Sequence, residues 1–306
     1  MDIIMLASAI ITGLFGLTWS AKYFVDAAVV LAYYAKVSTV VIGLTVVAFG
    51  TSAPEILVSA IAAWQGNTGL ALGNAIGSNT ANIALVLGMT ALITPLTFRQ
   101  PLSREFNLLL VVTVGVYLLL SNQQLDRWNG WILLIALAAF VIWTIKTSNT
   151  PQEITIPTTP PRLGQQIGLF IFSLVLLLLS SRLLVWGAIG LAQYFNISEE
   201  VIGLTIVAIG TSLPELATSI SAARQGQHGL LIGNIVGSNL FNLLAVLGVA
   251  GVIHPIAISD NVLLIDYPLM MGLTGVLFIL AYFKHLHRWH AVLLLIIYFS
   301  YLVTVL

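Results

Sequence analysis

No cysteine occurs among the 306 residues, which excludes disulfides, thiolate metal sites and thiol nucleophiles. Charge is almost as scarce: Asp, Glu, Lys and Arg make up 7% of the chain, against about 25% in a soluble domain. Eleven basic and eleven acidic side chains cannot coat a water-soluble protein of this size. Their zero balance leaves no basic face for nucleic acid. No phosphate-cradling GxxxxGK[ST] loop is present, so ATP-driven pumping has no sequence basis. The opening MDIIMLAS lacks the basic segment of a secretory signal peptide, and the first apolar segment is expected to be a retained span. Apolar residues, in contrast, fill 59% of the chain, with a mean hydropathy of +1.03. This is the composition of an integral membrane protein.

Hydropathy divides the chain into ten apolar segments, approximately 3–32, 38–63, 69–93, 103–122, 128–146, 164–193, 198–223, 229–253, 262–283 and 289–306. The first and sixth exceed the length of a perpendicular crossing, so they tilt or project. The only sizeable connector, 147–163, is rich in Pro and Thr and too short to be a domain. With the N-terminus outside, Lys36, Arg99, Arg104, Lys146, Arg162, Arg224, Lys284 and Arg288 fall on or near the cytoplasmic side, and only Arg127 lies outside. That distribution obeys the positive-inside rule, and ten spans return the C-terminus to the outside.

The chain repeats itself. Residues 41–95 align without a gap to 201–255 at an offset of 160, with 30 identities in 55 positions. VIGLTVVAFGTSAPEI meets VIGLTIVAIGTSLPEL, and GNAIGSNTAN meets GNIVGSNLFN. The register continues upstream, where Lys22 pairs with Arg182. Five spans per half is an odd number, so the halves insert with opposite orientation. Inverted repeats are a transporter architecture that places substrate near the midplane. The expected fold is therefore an all-α membrane protein of ten transmembrane helices. Residues 1–146 form the first five-helix repeat, 147–163 a cytoplasmic linker and 164–306 the second repeat.

Two acids lie in mid-span, Glu55 and Glu215, at equivalent positions. An acid at that depth defaults to function; a structural ion pair with Lys22 or Arg182 is the plainer alternative. Each follows Gly-Thr-Ser-x-Pro: Thr51, Ser52 and Pro54 in one half, Thr211, Ser212 and Pro214 in the other. Proline breaks the helix and frees the carbonyls of Gly50 and Gly210, which is tolerated in a membrane where they line a cavity. The following segments add Ser78 and Asn82, and Ser238 and Asn242, each pair one turn apart. Asn74, Asn79, Asn234 and Asn239 read as helix-to-helix glue. Two carboxylates with hydroxyls, amides and carbonyls make an all-oxygen cage, which suits a hard cation such as Ca²⁺. The histidines, at 228, 254, 285, 287 and 290, stand near segment ends, so zinc or copper is not indicated.

These doubled GTS-x-PE and GN-x-x-GSN motifs resemble the paired signatures of the calcium/cation antiporter superfamily, and most closely its compact prokaryotic sodium/calcium exchangers. The resemblance covers the whole chain. It implies Ca²⁺/Na⁺ antiport by alternating access in a prokaryotic plasma (inner) membrane, with no enzymatic activity, no cofactor and no protein partner. It also implies that Glu55 and Glu215 are the shared acidic ligands and that Thr51, Ser52, Ser78, Thr211, Ser212 and Ser238 supply hydroxyls. The carbonyls of Ala48 and Ala208 would join them, with Asn82 and Asn242 beside the centre. Well-studied sodium/calcium exchangers carry an aspartate at the place of Asn242, so H⁺ or K⁺ stands beside Na⁺ as a coupling ion. An intramembrane protease also places two acids in mid-membrane, but repeat symmetry and carbonyl-freeing breaks argue against it. A passive channel would need no counter-ion.

Overall fold

The computed structural model describes residues 3–97, 103–147, 162–197, 206, 208–283 and 285–305. The first half contains α1 (Ile3–Ala35), α2 (Thr39–Thr51), α3 (Ala53–Trp64) and α4 (Thr68–Ile93). It continues through β1 (Leu96–Thr97), α5 (Ser103–Leu120), β2 (Gln124–Leu125) and α6 (Arg127–Lys146). The second half begins with α7 (Leu163–Tyr194), α8 (Ala208–Thr211), α9 (Leu213–Arg224) and α10 (His228–Ile253). β3 (Ile256–Ala257), α11 (Val262–Tyr282), β4 (His285–Leu286) and α12 (Arg288–Val305) complete it. Most of the connector 147–163, and residues 198–205 of the seventh apolar segment, lie outside the described residues.

Among the described residues six helices are long and apolar enough to cross a bilayer, or seven if α2 and α3, bent by 46°, form one span. Hydropathy alone divides the chain into ten segments. The remainder are short or interrupted helices: α5 opens on Ser-Arg-Glu, α12 is a shorter apolar helix, and α8–α9 is split at Ser212. The chain is also not purely helical. β1 pairs antiparallel with β4, and β2 with β3, which ties span ends together where plain connectors were expected.

The sequence repeat is reproduced residue for residue in the element boundaries. Adding 160 to the limits of α3, α4 and β1 gives those of α9, α10 and β3. The turns after α3 and α9 place Gly66 and Gly226 at φ 78° and 71°, a left-handed conformation open to glycine without a Cβ penalty. Both α4 and α10 carry one π-helical turn, Asn82–Val86 and Asn242–Val246.

α4 and α10 form the buried centre. α2 lies directly on α10: a Cβ added at Gly43 would sit 2.6 Å from the Leu230 carbonyl oxygen and 2.9 Å from the Gly233 Cα. Small residues thus bring two backbones together, as in packed membrane helices. α1 and α7, each about 50 Å long at 1.5 Å per residue, make the most extensive helix pair. Phe24 stacks on Phe170 with centroids 4.6 Å apart. The pair runs alongside the core and borders two grooves.

Candidate cation site

The Gly-Thr-Ser-x-Pro-Glu segment builds a helix break that is also a helix start. Ser52 ends α2 with φ −87° and ψ 2°, and α3 begins at Ala53 with Pro54 in its first turn. A proline there loses no intrahelical bond, because the first N–H groups have no partner. Glu55 falls in the same turn, where the positive end of the helix favours a carboxylate. Ser212, Pro214 and Glu215 repeat the arrangement at the start of α9, with φ −88° and ψ 4° at Ser212.

Ser-x-x-Glu at a helix start is the signature of a reciprocal capping box. The Ser52 side chain makes no cap bond. Its hydroxyl instead donates across the two halves to Glu215 Oε1 at 3.1 Å. Thr51 Oγ1 contacts Asn234 Oδ1 at 3.2 Å. The site is therefore shared between the halves rather than built within either.

Both glutamates are 1% exposed. They interact with each other electrostatically, and among the described residues neither has an ion-pair partner. Lys22 and Arg182, the alternative structural counter-ions, are exposed and line grooves beside the core. The two carboxylate-bearing helices, and the helices packed on them, hold buried polar atoms without hydrogen-bond partners: Glu55 Oε2, Glu215 Oε2, Ser212 Oγ, Ser238 Oγ, Asn82 Oδ1, and Oδ1 and Nδ2 of Asn242. Each orphan costs about 1–3 kcal/mol, so a pocket that keeps this many is poised to bind something. Among the described residues no three His, Cys, Asp or Glu side chains come together. The two acids are joined by hydroxyls and amides, as a hard cation requires.

The remaining residues singled out in the sequence fall into two groups. Ser78 is buried on α4, and Thr211 precedes the break in the second half. Asn82 and Asn242 open the π-helical turns, a local widening that frequently marks functional positions. The Ala48 carbonyl accepts the Ser52 amide at 2.9 Å and the Thr51 hydroxyl at 3.4 Å. The Ser212 amide donates to the Ile209 carbonyl at 3.1 Å. Of the carbonyls freed by proline, that of Gly210 receives the Ser181 hydroxyl at 3.2 Å.

Of the other asparagines, Asn74, Asn79 and Asn234 tie helices together, whereas the Asn239 side chain bonds within its own helix and does not bridge as expected. Asn74 donates to Ser59 Oγ at 2.8 Å and to the Glu55 carbonyl at 3.1 Å, and Asn234 donates to Ser219 Oγ at 3.3 Å. Asn79 bridges to the Asn239 carbonyl at 3.3 Å, and Asn239 turns back to Ile235 at 2.7 Å. Ser59, Ser219 and Ser181 escaped the sequence reading. Ser59 and Ser219 are identical residues in register, a signal that was present. Ser181 had none, since its mate is Ala21.

The fold and pocket define a helical membrane protein whose two sequence-repeated segments meet around buried acidic oxygens. A family model described as sodium/calcium exchanger protein matches residues 5–146 and again 165–306, and the chain belongs to that family. CaxA of Alkalimonas amylolytica is 43% identical over 282 residues, 89% of this chain and 88% of that one. The sodium/calcium exchanger MaX1 of Methanosarcina acetivorans is 30% identical over 337 residues, 96% of each chain. A structure of the sodium-calcium exchanger NCX_Mj, soaked with Na⁺ and Sr²⁺, superposes with a TM-score of 0.87 at 31% identity, covering 98% of both chains.

Proposed function

We propose that the chain is a secondary antiporter that exchanges Ca²⁺ for Na⁺ by alternating access at the Glu55–Glu215 pocket. The observation that carries this reading is the pair of fully buried carboxylates, without a basic partner among the described residues, in a core that also holds orphan hydroxyl and amide oxygens. A cation supplies what those atoms lack. Glu55 and Glu215 are its charged ligands. Thr51, Ser52, Ser78, Thr211, Ser212 and Ser238, the Ala48 and Ala208 carbonyls, and Asn82 and Asn242 complete the cage. Ca²⁺ and a monovalent counter-ion are its transported substrates, and the lipid bilayer its environment.

The proposed topology is ten spans in two inverted five-helix repeats, at 1–146 and 164–306, with both termini outside. The small ladders support it by parity. β1 and β4 pair, so they share one face, and six expected spans separate them. β2 and β3 pair, with four spans between. β1 and β3 are repeat mates five spans apart, and they belong to different ladders, as an inverted repeat requires.

Charge bookkeeping gives the test. Two glutamates contribute −2, so bound Ca²⁺ neutralises the pocket, whereas three Na⁺ leave it at +1. One charge crossing is worth about 2.3 kcal/mol per 100 mV. Calcium uptake into sodium-loaded vesicles is expected to accelerate when the interior is clamped positive. An uptake rate indifferent to the clamped potential excludes three-for-one sodium coupling and favours an electroneutral exchange, such as two protons per calcium.

A further inference from the structure

Lys22 and Arg182 are repeat mates that the cation pocket does not use. Both lie inside long apolar helices, where charge is costly to keep and marks function by default. The structure gives them matching surroundings. Lys22 on α1 lines a groove of about 510 Å³ whose opposite wall on α9 includes Leu213, Ala217 and Ser221. Arg182 on α7 lines one of about 330 Å³ whose opposite wall on α3 includes Ala53, Leu57 and Ile61. These three pairs of wall residues stand at the 160-residue offset. Each groove is thus made by a long helix of one half and the glutamate-bearing helix of the other, and the second reaches Thr211 and Pro214. Among the described residues, Arg182 is the only charged one lining its groove. The first groove also holds Arg224, and Asp26 interacts electrostatically with Lys22.

We infer that Lys22 and Arg182 are specificity-determining residues of the ion path, each placing a fixed positive charge in one of two routes to the Glu55–Glu215 pocket. This rests on the antiport reading and its inverted repeats, which put the two grooves at opposite faces. A cation entering either groove meets repulsion proportional to its own charge. The barrier therefore acts on the logarithm of calcium occupancy about twice as strongly as on that of a monovalent ion. A pocket of charge −2 would otherwise hold calcium too tightly to release it. The basic side chains weaken calcium more than sodium, which keeps the two ions in competition.

The cysteine-free chain allows a direct test. Arg182→Cys is reconstituted and treated with membrane-impermeant thiol reagents carrying either a positive or a negative charge. Loss of the arginine is expected to lower the half-saturating calcium concentration roughly three- to tenfold, and that for sodium by about the square root of that factor. The cationic reagent restores the original value and the anionic one lowers it further. Lys22→Cys responds likewise, from the opposite face. Half-saturation that ignores the sign of the attached charge overturns the inference. Labels effective from one and the same face overturn the opposed-groove arrangement. Wild-type exchange in the same vesicles is measured first, and its absence counts against the antiport reading rather than against the two basic residues.

Discussion

Glu55→Gln and Glu215→Gln, made separately, are each expected to reduce calcium affinity by at least about a hundredfold and to abolish exchange. Removing one partner from a buried charge pairing costs about 3–5 kcal/mol, and each glutamate supplies half of the pocket's negative charge. Glutamine has nearly the same shape, so packing around α3 and α9 survives. The empty variants should also resist thermal unfolding as well as the wild type or better, because an uncompensated carboxylate buried in mid-membrane is a burden to the unloaded protein. What disappears is the calcium-dependent rise in melting temperature, since a ligand stabilises only what it binds. Retention of that rise in either purified variant would remove the carboxylate from the site.

Locking the long helices to the core should stop transport without emptying the pocket. α1 and α7 pack on one another along their length, and α1 also packs against α9 beside the groove that both helices line. Thr18→Cys with Ser221→Cys, bridged by a bifunctional thiol reagent, fastens α1 to α9. Exchange should fall to background while calcium still raises the melting temperature. Gly16→Cys with Ser180→Cys joins α1 to α7 at a point where they already touch, and exchange should continue. If the first cross-link forms fully and exchange persists, some other element moves. If both cross-links stop exchange, α1 and α7 do not travel as a pair.

Much of this site was legible in the sequence because two copies of it are present. A lone Glu55 in an apolar segment is ambiguous; Glu55 and Glu215 in register, each behind Gly-Thr-Ser-x-Pro, are not. Proline chemistry alone placed the break, and the structure puts it at Ser52 and Ser212. The cross-half bond from Ser52 to Glu215 was hidden, since Ser-x-x-Glu reads locally as a cap and only tertiary packing decides between the two. The π-helical turns at Asn82 and Asn242 were likewise invisible, because no residue pattern separates them from ordinary helix. Hydropathy found apolar segments but could not distinguish a straight crossing from a bent pair. The two-residue ladders have no hydrophobic period long enough to detect. Ser181 became visible only once the Gly210 carbonyl, left without its amide by Pro214, had a neighbour in space.

Radiolabelled calcium uptake into proteoliposomes under imposed gradients of sodium, protons or potassium, compared side by side, tests the central claim most directly. The account predicts that an outward sodium gradient alone drives calcium inward against its own gradient, and that neither Glu→Gln variant does so. Uptake driven by protons or potassium with sodium inert would contradict sodium coupling, and calcium flux without any counter-ion would contradict antiport itself.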